Sequence, residues 1–304
     1  MKIVFLDTFT TNPGDLSWAP LAALGELLLF DRTPPGEIVS VTGDADAVFV
    51  NKCEITADII EKCCDLKFIG IAATGCDNVD IDAAKARKIA VTNVPAYSTE
   101  AVAQHAFALI LEITNQVFTH KKAVDDGEWL TAPDFCFTKS PLTLLAGKSL
   151  GIIGYGNIGK KVAEIAGAFG MTVNIYSRDR EAAIKSDFVT LHCPAAENNM
   201  GFIDSGFIDR MKDGAVLINT ARGALVNEAA LAEALKSGKL SAAGLDVLID
   251  EPPERQNPLI GLPNCYITPH ISWMPKEIRK RLIDVCAENL KSFMDGGRLN
   301  RVDL

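Results

Sequence analysis

Short apolar runs alternate with longer helical patterns along the whole chain. Most of the short runs lack alternating polar residues, and ten of them are predicted strands: KIVFL, DAVFV, LKFIGI, KIAVTNV, KSLGIIG, TVNIY, SDFVTLHC, GAVLINT, SAAGLDV and CYITPH. Strands without polar alternation are buried on both faces, as in parallel sheets that helices cover. The pattern therefore predicts an α/β fold of doubly wound parallel sheets.

One glycine-rich turn stands between a predicted strand and a predicted helix. In KSLGIIGYGNIGKKVAEIAGAFG, residues Gly154, Gly156 and Gly159 have the GxGxxG spacing. The first glycine permits a tight turn, the second lets the backbone approach a pyrophosphate, and the third allows close packing of helix on strand. The strand TVNIY follows the helix, as this mechanism requires. The turn therefore predicts a Rossmann dinucleotide site, against the alternative of a glycine-rich turn that binds nothing.

The glycine turn lies near the middle of the chain, so a separate domain precedes it. A chain of 304 residues also exceeds the length at which a single core stops growing. Pro95 stands before a long helical pattern over residues 99–124, and Pro275 opens an amphipathic run over residues 276–294. We predict a discontinuous substrate domain of residues 1–97 and 274–304, a nucleotide domain of residues 98–273, and a cleft between them.

Composition and charge narrow the function classes. The chain is 48% apolar with a net charge of −9, and no long basic stretch opposes that charge, which argues against nucleic acid and anionic membranes as partners. The start MKIVFLD is too short for a secretory segment, and no apolar run is long enough to span a bilayer. The eight cysteines are scattered without a CxxC pair, which indicates reduced thiols, no metal site and a cytoplasmic protein.

The residues after the second strand of the nucleotide unit bear on cofactor choice. Where a carboxylate usually binds the ribose hydroxyls, this chain has Ser177 and then Arg178. Without that carboxylate a 2′-phosphate is not repelled, and Arg178 can supply a positive charge to it. In the alternative, Arg178 points to solvent and Asp179 takes the ribose. The pattern favours NADP over NAD and leaves both open.

The four histidines offer few candidates for proton transfer. His105 lies inside an apolar helical pattern, as a packed or interface residue, and His120 stands beside two lysines, as a solvated one. His192 ends a strand, where it would line the cofactor. His270 follows an apolar strand at the predicted domain junction, so it is the best proton carrier.

Carbonyl reduction needs a proton donor, a cation for the substrate carboxylate and a group that keeps the donor charged. His270, Arg222 in INTARG and Glu251 in LIDEPP supply one of each, and all three follow predicted strands. Ligands bind at the carboxyl ends of strands in open α/β sheets. Singly, Arg222 or Glu251 could form a surface ion pair, but together the three residues predict a reductase site.

These segments resemble the D-isomer-specific 2-hydroxyacid dehydrogenase family over nearly the whole chain. The matching segments, in family order, are ATGCDNVDIDAAKARKIAVTNVPAYSTEAVAQHAFALILE, GKSLGIIGYGNIG, SDFVTLHCP, GAVLINTARGALVNEAALAEALKSGKLSAAGLDV, DEPP and TPHIS. The ending TPHISWMPKEIRKRLIDVCAENLKSF is similar to the hydroxypyruvate reductase (glycerate dehydrogenase) branch, where Trp-x-Pro follows the histidine. The resemblance implies a flavodoxin-like substrate domain, a Rossmann domain and a homodimer, to which the helix near Thr99 and Trp129 could contribute; core packing is the alternative for both.

The resemblance also implies residue roles. Arg222 would bind the carboxylate and carbonyl oxygen of a 2-oxo acid, His270 would protonate that oxygen, and Glu251 would favour the imidazolium form. The backbone amides of Thr74 and Gly75 would bind the carboxylate, unless they form a plain turn. Lys52 would lie near the substrate mouth, with a solvated lysine as the alternative. The predicted cofactor contacts are Gly154, Tyr155, Gly156, Asn157, Ile158, Gly159, Ser177, Arg178, His192, Cys193, Pro194, Thr220, Ala221 and Asp246, the last on the nicotinamide carboxamide.

One segment departs from the family pattern. Only the nine residues SRDREAAIK separate the strand ending at Tyr176 from the strand beginning at Ser186, where relatives have an additional helix and strand. This shortening predicts a more open adenine side, unless a segment is missing from the sequence, and it weakens the inference from Arg178.

The expected reaction is hydride transfer between NAD(P)H and a small 2-oxo acid. Hydroxypyruvate or glyoxylate would be reduced to D-glycerate or glycolate. One alternative is a dehydrogenase of another D-2-hydroxy acid, although the chain has no basic cluster that suits a phosphate ester. Another alternative is an NAD(H)-sensing, corepressor-like binding protein of the same fold.

Overall fold

A computed structural model describes all 304 residues, which divide into two compact units. The first unit comprises Met1–Ser98 and Met274–Leu304, and the second unit comprises Thr99–Trp273. None of the helices combines the length and the apolar character that a membrane span requires.

The first unit is a five-stranded parallel sheet with helices. Its strands are β1 (Lys2–Phe5), β2 (Glu26–Leu29), β3 (Ala47–Val50), β4 (Phe68–Ile71) and β5 (Ala90–Thr92). Its helices are α1 (Thr8–Thr11), α2 (Ala19–Ala22), α3 (Ile38–Thr42), α4 (Ala57–Lys62), α5 (Ile81–Ala86) and α12 (Lys276–Met294). The strand order β2-β1-β3-β4-β5 is the flavodoxin-like order, so the predicted fold of this unit is confirmed.

An aromatic row covers one face of this first sheet. Phe5, Phe49 and Phe68 come from three neighbouring strands, with ring centroids 5.8 and 5.6 Å apart, and Phe293 of α12 continues the row at 5.2 Å from Phe68. The helix predicted over residues 276–294 is therefore part of the core of this unit. Strand β2 was not predicted, because this edge strand is only partly buried and its sequence continues an apolar run.

The second unit is a six-stranded parallel sheet. Its strands are β6 (Ser149–Ile153), β7 (Thr172–Ile175), β8 (Phe188–Leu191), β9 (Ala215–Asn219), β10 (Leu240–Leu245) and β11 (Cys265–Ile267). Its helices are α6 (Thr99–Asn115), α7 (Val117–Asp125), α8 (Asn157–Ala168), α9 (Arg180–Ile184), α10 (Ser205–Arg210) and α11 (Glu228–Ser237). The order β11-β10-β9-β8-β6-β7 leaves β7 at the edge, whereas the usual Rossmann order has a further strand beside the second one.

The short crossover between β7 and β8 is well packed. Helix α9 occupies most of it and buries Ala183 and Ile184 completely. A Cβ atom on Gly151 of β6 would lie 2.0 Å from the carbonyl oxygen of Ala183, so this glycine lets α9 lie directly on the sheet. Asn174 of β7 also donates side-chain hydrogen bonds to Ala182 O and Ser186 Oγ. The nine residues therefore form a complete, stabilised connection.

The helical pattern predicted over residues 99–124 is helical in the structure, but a break at Gln116 divides it into α6 and α7. Gln116 has a left-handed backbone with φ of 48°, which no helical residue adopts. Just before it, the hydroxyl of Thr114 donates a 2.8 Å hydrogen bond to the carbonyl oxygen of Ile110. Such hydroxyl bonds bend helices. Neither Thr114 nor Gln116 is a strong helix breaker, so the sequence pattern did not indicate the break.

Candidate active site

The glycine turn has the geometry that a dinucleotide site requires. Gly154 has φ of +99°, and a Cβ atom there would lie 2.4 Å from Cys193 N. A Cβ atom on Gly159 would lie 2.1 Å from Gly154 O, so helix α8 needs this glycine to pack against the turn. Nothing lies within 4 Å of a Cβ built on Gly156, and the N-terminus of α8 has no side-chain cap. This open, uncapped helix start fits a pyrophosphate.

Two buried polar atoms lie at the ends of the neighbouring strands without a hydrogen-bond partner. They are Nδ1 of His192, after β8, and Oγ1 of Thr220, after β9. Buried polar atoms are rarely left unpaired, so each is available to a bound molecule. Burial lowers the pKa of His192 to about 3, which makes its ring neutral, and Nε2 contacts Thr190 Oγ1 at 2.9 Å. The orphaned atoms and the open turn together fit an NAD(P) cofactor.

The adenine side of the turn carries an exposed arginine. Arg178 lies with its guanidinium carbon 5.3 Å from the ring centroid of Tyr155, within the range of a cation–π contact. Ser177 beside it is exposed, and Asp179 caps helix α9 by accepting a 3.0 Å hydrogen bond from Ala182 N. Asp179 therefore has a structural task, while Arg178 lies over the glycine turn.

The other predicted cofactor residues occupy the same edge of the sheet. Cys193 is half-buried, with the pKa of its thiol raised by burial, and Pro194 is exposed. Ala221 is half-buried, and Asn157 and Ile158 start helix α8. All of them follow β6, β8 or β9, which are neighbours in the sheet.

Asn219, the last residue of β9, shapes the turn that carries Arg222. Its side chain accepts a 3.0 Å hydrogen bond from Ala221 N and donates a 2.8 Å bond to Arg222 O. Gly223 follows, and a Cβ atom there would lie 1.9 Å from the carbonyl carbon of Leu248. The Arg222 turn therefore packs directly on the backbone that leads to Glu251.

Asp246 lies just beyond β10 and holds the turn of residues 268–272. Its carboxylate is fully buried and accepts hydrogen bonds from Ile271 N at 2.9 Å and Ser272 N at 2.8 Å. Its carbonyl oxygen accepts a 2.9 Å bond from His270 N. His270 has φ of 53°, a left-handed conformation that is uncommon outside glycine and that these bonds impose.

His270 and Glu251 form a close pair. Nδ1 of His270 lies 2.5 Å from Oε2 of Glu251, and Oε1 accepts a 3.0 Å hydrogen bond from Leu248 N. A carboxylate only accepts, so Nδ1 carries a hydrogen and Nε2 is the nitrogen that can exchange a proton. The pair is partly exposed, at 24% for His270 and 35% for Glu251. Through Leu248 and Gly223 the structure links Arg222, Glu251 and His270 in one cluster.

The three predicted substrate residues of the first unit follow two different strands. Thr74 and Gly75 follow β4, and the hydroxyl of Thr74 donates a 2.8 Å hydrogen bond to Val94 O. Lys52 follows β3 and lines a cavity of about 660 Å³ that does not include Thr74 or Gly75. The cavity lies at the carboxyl ends of β1, β2 and β3 and is lined by residues that include Asp7, Phe9, Arg32, Lys52 and Cys53.

The arrangement defines a nucleotide-dependent oxidoreductase: a dinucleotide turn on one parallel sheet, with a cation and a histidine–carboxylate pair at the ends of neighbouring strands. Residues 107–272 match the model of the D-isomer specific 2-hydroxyacid dehydrogenase NAD-binding domain. The chain belongs to the D-isomer specific 2-hydroxyacid dehydrogenase family, as its motifs predicted. Its reaction class is the NAD(P)-dependent reduction of 2-oxo acids.

Relatives of known activity agree with the predicted branch. The chain is 44% identical to a hydroxypyruvate reductase of Blautia hydrogenotrophica, over all of both proteins, in an alignment of 321 positions. It is 38% identical to a glycerate dehydrogenase of Methylorubrum extorquens, over 88% of this chain and 89% of that protein. A solved acyclic imino acid reductase in complex with NADPH and D-Arg superposes with a TM-score of 0.86 at 31% identity, covering 99% and 100% of the two chains.

The sequence did not lead us to predict a role in the site for two residues, Asn219 and His105. Asn219 was not singled out, although its place before Arg222 at a strand end was a usable signal. His105 was interpreted as a packing or interface residue, but its ring contacts Thr268, next to the His270 turn, at 2.9 Å. Nothing in the local sequence indicates that contact, since 163 residues separate the two side chains.

Proposed function

We propose that this protein reduces hydroxypyruvate, and glyoxylate as a smaller substrate, to D-glycerate and glycolate. The observation that carries the proposal is the His270–Glu251 pair, linked through Leu248 to the Arg222 turn. The names of its relatives, a hydroxypyruvate reductase and a glycerate dehydrogenase, support the substrate assignment.

In the proposed mechanism, Arg222 holds the carboxylate and the carbonyl oxygen of the 2-oxo acid. When bound, NAD(P)H supplies the hydride for C2. His270 donates the proton on Nε2 to the carbonyl oxygen, while Nδ1–H remains bonded to Glu251. Glu251 stabilises the imidazolium before transfer and keeps the ring oriented, because Leu248 N fixes its other oxygen. The backbone amides of Thr74 and Gly75 keep their proposed role in binding a carboxylate, and Lys52 keeps its proposed place near the substrate mouth.

We propose the cofactor roles in the same terms. The glycine turn and the start of α8 receive the pyrophosphate; His192, Cys193, Pro194, Thr220 and Ala221 line the rest of the cofactor. Asp246 remains the proposed partner of the nicotinamide carboxamide. The second unit is then the nucleotide domain and the first unit the substrate domain.

We propose that NADPH is accepted at least as well as NADH. The position of Arg178 over Tyr155, the absence of a carboxylate at Ser177 and the use of Asp179 as a helix cap all support a 2′-phosphate. The NADPH in the related imino acid reductase is consistent with this proposal. The alternative, NAD with Arg178 in solvent, predicts the opposite kinetic preference.

We also propose a homodimer that buries the segment of residues 117–144. This segment exposes large apolar side chains, among them Phe118 at 69%, Leu130 at 90% and Phe135 at 89%. Contiguous exposed apolar surface commonly marks an interface. Trp129 at 52% exposure belongs to the same segment, whereas α6 packs in the core of the second unit.

A kinetic matrix tests the proposal. Hydroxypyruvate, glyoxylate, pyruvate and phosphohydroxypyruvate are each assayed with NADH and with NADPH, and the highest kcat/KM is expected for hydroxypyruvate. A preference for another 2-oxo acid overturns the substrate assignment. Nucleotide binding without turnover of any substrate would instead support an NAD(H)-sensing binding protein.

A further inference from the structure

His105 lies on helix α6, which carries none of the proposed catalytic groups. Its side chain is 18% exposed, and its Nε2 atom lies 2.9 Å from Oγ1 of Thr268. The same nitrogen lies 3.4 Å from Oδ1 of Asp246. A helix residue with an otherwise apolar neighbourhood thus reaches the turn that precedes His270.

The hydrogen bonds around Thr268 fix the direction of each proton. The hydroxyl of Thr268 lies 2.6 Å from Oδ1 of Asp246, and an ionised carboxylate can only accept. The hydroxyl therefore donates its single hydrogen to Asp246. Thr268 Oγ1 must then accept a hydrogen bond from His105. His105 consequently carries a hydrogen on Nε2.

Asp246 is ionised in this network. Burial opposes its ionisation, but hydrogen bonds from His105, Thr268 and the amide of Ile271 outweigh burial and hold its pKa at about 2. The carboxylate in turn accepts the amides of Ile271 and Ser272, which directly follow His270. The left-handed backbone of His270 thus depends on a carboxylate that His105 and Thr268 help to orient.

We infer that His105 is a positioning residue for His270: its Nε2–H orients the Thr268 hydroxyl toward Asp246, and Asp246 then holds the His270 turn. The inference rests on the proposed catalytic role of His270. Removing the donor leaves the Thr268 oxygen and the Asp246 carboxylate short of a partner in a buried place. The turn then samples other conformations, and Nε2 of His270 leaves the geometry that proton transfer needs.

Kinetics of three variants test this inference. His105→Leu is expected to lower kcat for hydroxypyruvate by about ten- to a hundredfold, because small misplacements of a reacting group have effects of this size. KM is expected to change little, since Arg222 is untouched. His105→Gln keeps an N–H donor on a side chain of similar reach, and it is expected to restore kcat to within about threefold of wild type.

A matched control separates positioning from loss of packing. Phe107 is buried on the same helix and stacks on Phe169, outside the network. Phe107→Leu is expected to lower Tm and leave kcat unchanged. If His105→Leu behaves like Phe107→Leu, with a lower Tm and a normal kcat, the inference is wrong.

Thr268→Val provides a second, independent perturbation of the same chain of bonds. It removes the hydroxyl and is expected to reproduce the kcat loss of His105→Leu. The double variant should lose no more than either single variant, because groups that act through one contact are not additive. Additive losses of kcat would show that His105 and Thr268 act independently of each other, which contradicts the inference.

Hydrogen–deuterium exchange tests the inference without any assay of turnover. In His105→Leu the amides of Ile271 and Ser272 are expected to exchange about tenfold faster than in wild type, and in Phe107→Leu they should not. Unchanged protection in His105→Leu refutes the positioning role. If the wild-type protein reduces no 2-oxo acid, the proposed function fails, and the exchange comparison still decides whether His105 holds the turn.

Discussion

The backbone amide of Asp246 donates a 2.9 Å hydrogen bond to the carbonyl oxygen of Asn219. The two residues lie at the carboxyl ends of the neighbouring strands β10 and β9. The side chain of Asn219 holds the turn with Arg222, and that of Asp246 holds the turn with His270. One pair of adjacent buried residues therefore supports both groups proposed to contact the substrate.

Asn219→Ala should raise the KM for hydroxypyruvate and lower kcat/KM by about tenfold or more, because the Arg222 turn loses two hydrogen bonds. Asn264→Ala is a suitable control, because the Asn264 side chain likewise makes two hydrogen bonds to the backbone, donating to the oxygens of Leu235 and Ser241 away from this turn. Steady-state kinetics and Tm measured together should show lower stability in both variants and altered kinetics in Asn219→Ala alone. Equal kinetics in the two variants would show that Asn219 does not position Arg222.

His270→Ala should reduce kcat by at least about 10², the usual contribution of a general acid. Glu251→Gln preserves the shape of the pair but removes the negative charge, so kcat should fall by about tenfold or more. His120→Ala, on helix α7, serves as the control and should retain full turnover. A His270→Ala protein with wild-type turnover would exclude this histidine as the proton donor.

Arg178→Ala should raise the KM for NADPH by about tenfold and leave the KM for NADH nearly unchanged, because only NADPH has a 2′-phosphate. Ser177→Asp should also shift the cofactor preference from NADPH toward NADH, because the new carboxylate repels that phosphate. Arg180 lies over Tyr176 and is the matched control, since Arg180→Ala removes the same charge two residues away. Identical effects of Arg178→Ala on both cofactors would support the NAD alternative.

The stability of the protein should fall as the pH is lowered from about 6.5 toward about 3, through His192. Burial depresses the pKa of this ring in the folded chain from its ordinary 6.5 to about 3, so only the unfolded chain takes up a proton in that interval. Above pH 6.5 protonation of this ring takes nothing from the free energy of unfolding. Below pH 6.5 the free energy of unfolding falls progressively, by at most about 1.4 kcal/mol per pH unit.

Urea unfolding of wild type, His192→Asn and His120→Asn at a series of pH values measures this contribution. His192→Asn should flatten the slope between about pH 6.5 and 3, and His120→Asn should retain it. The same slope in all three proteins would show that other groups control the acid sensitivity.

Leu130→Glu and Phe135→Glu should convert the proposed dimer to monomers, because each places a charge in the apolar surface of residues 117–144. Ile260, which is 49% exposed outside this surface, provides the control variant Ile260→Glu. Light scattering after size-exclusion chromatography measures the mass directly. If the wild-type protein is a monomer, or if both variants remain dimers, residues 117–144 do not form a dimer interface.

Much of the fold follows from local patterns. Ten strands were recognised because short apolar runs between turn residues are typical of strands that are buried on both faces. Strand β2 was missed because this edge strand is half solvated and ELLL continues the apolar run PLAALGELLLF, in which Gly25 is the only break. The break at Gln116 was missed because a left-handed glutamine has no signature in the sequence.

The site divides in the same way. Glycine spacing and the chemistry of residues after strands predicted the dinucleotide turn and the trio of Arg222, Glu251 and His270, because the direction of parallel strands brings their ends to one edge. The partners of Asn219 and His105 depended on tertiary packing. Hydrogen bonds require donors and acceptors within about 3 Å, and residues 163 positions apart in sequence meet at that distance only in the folded chain.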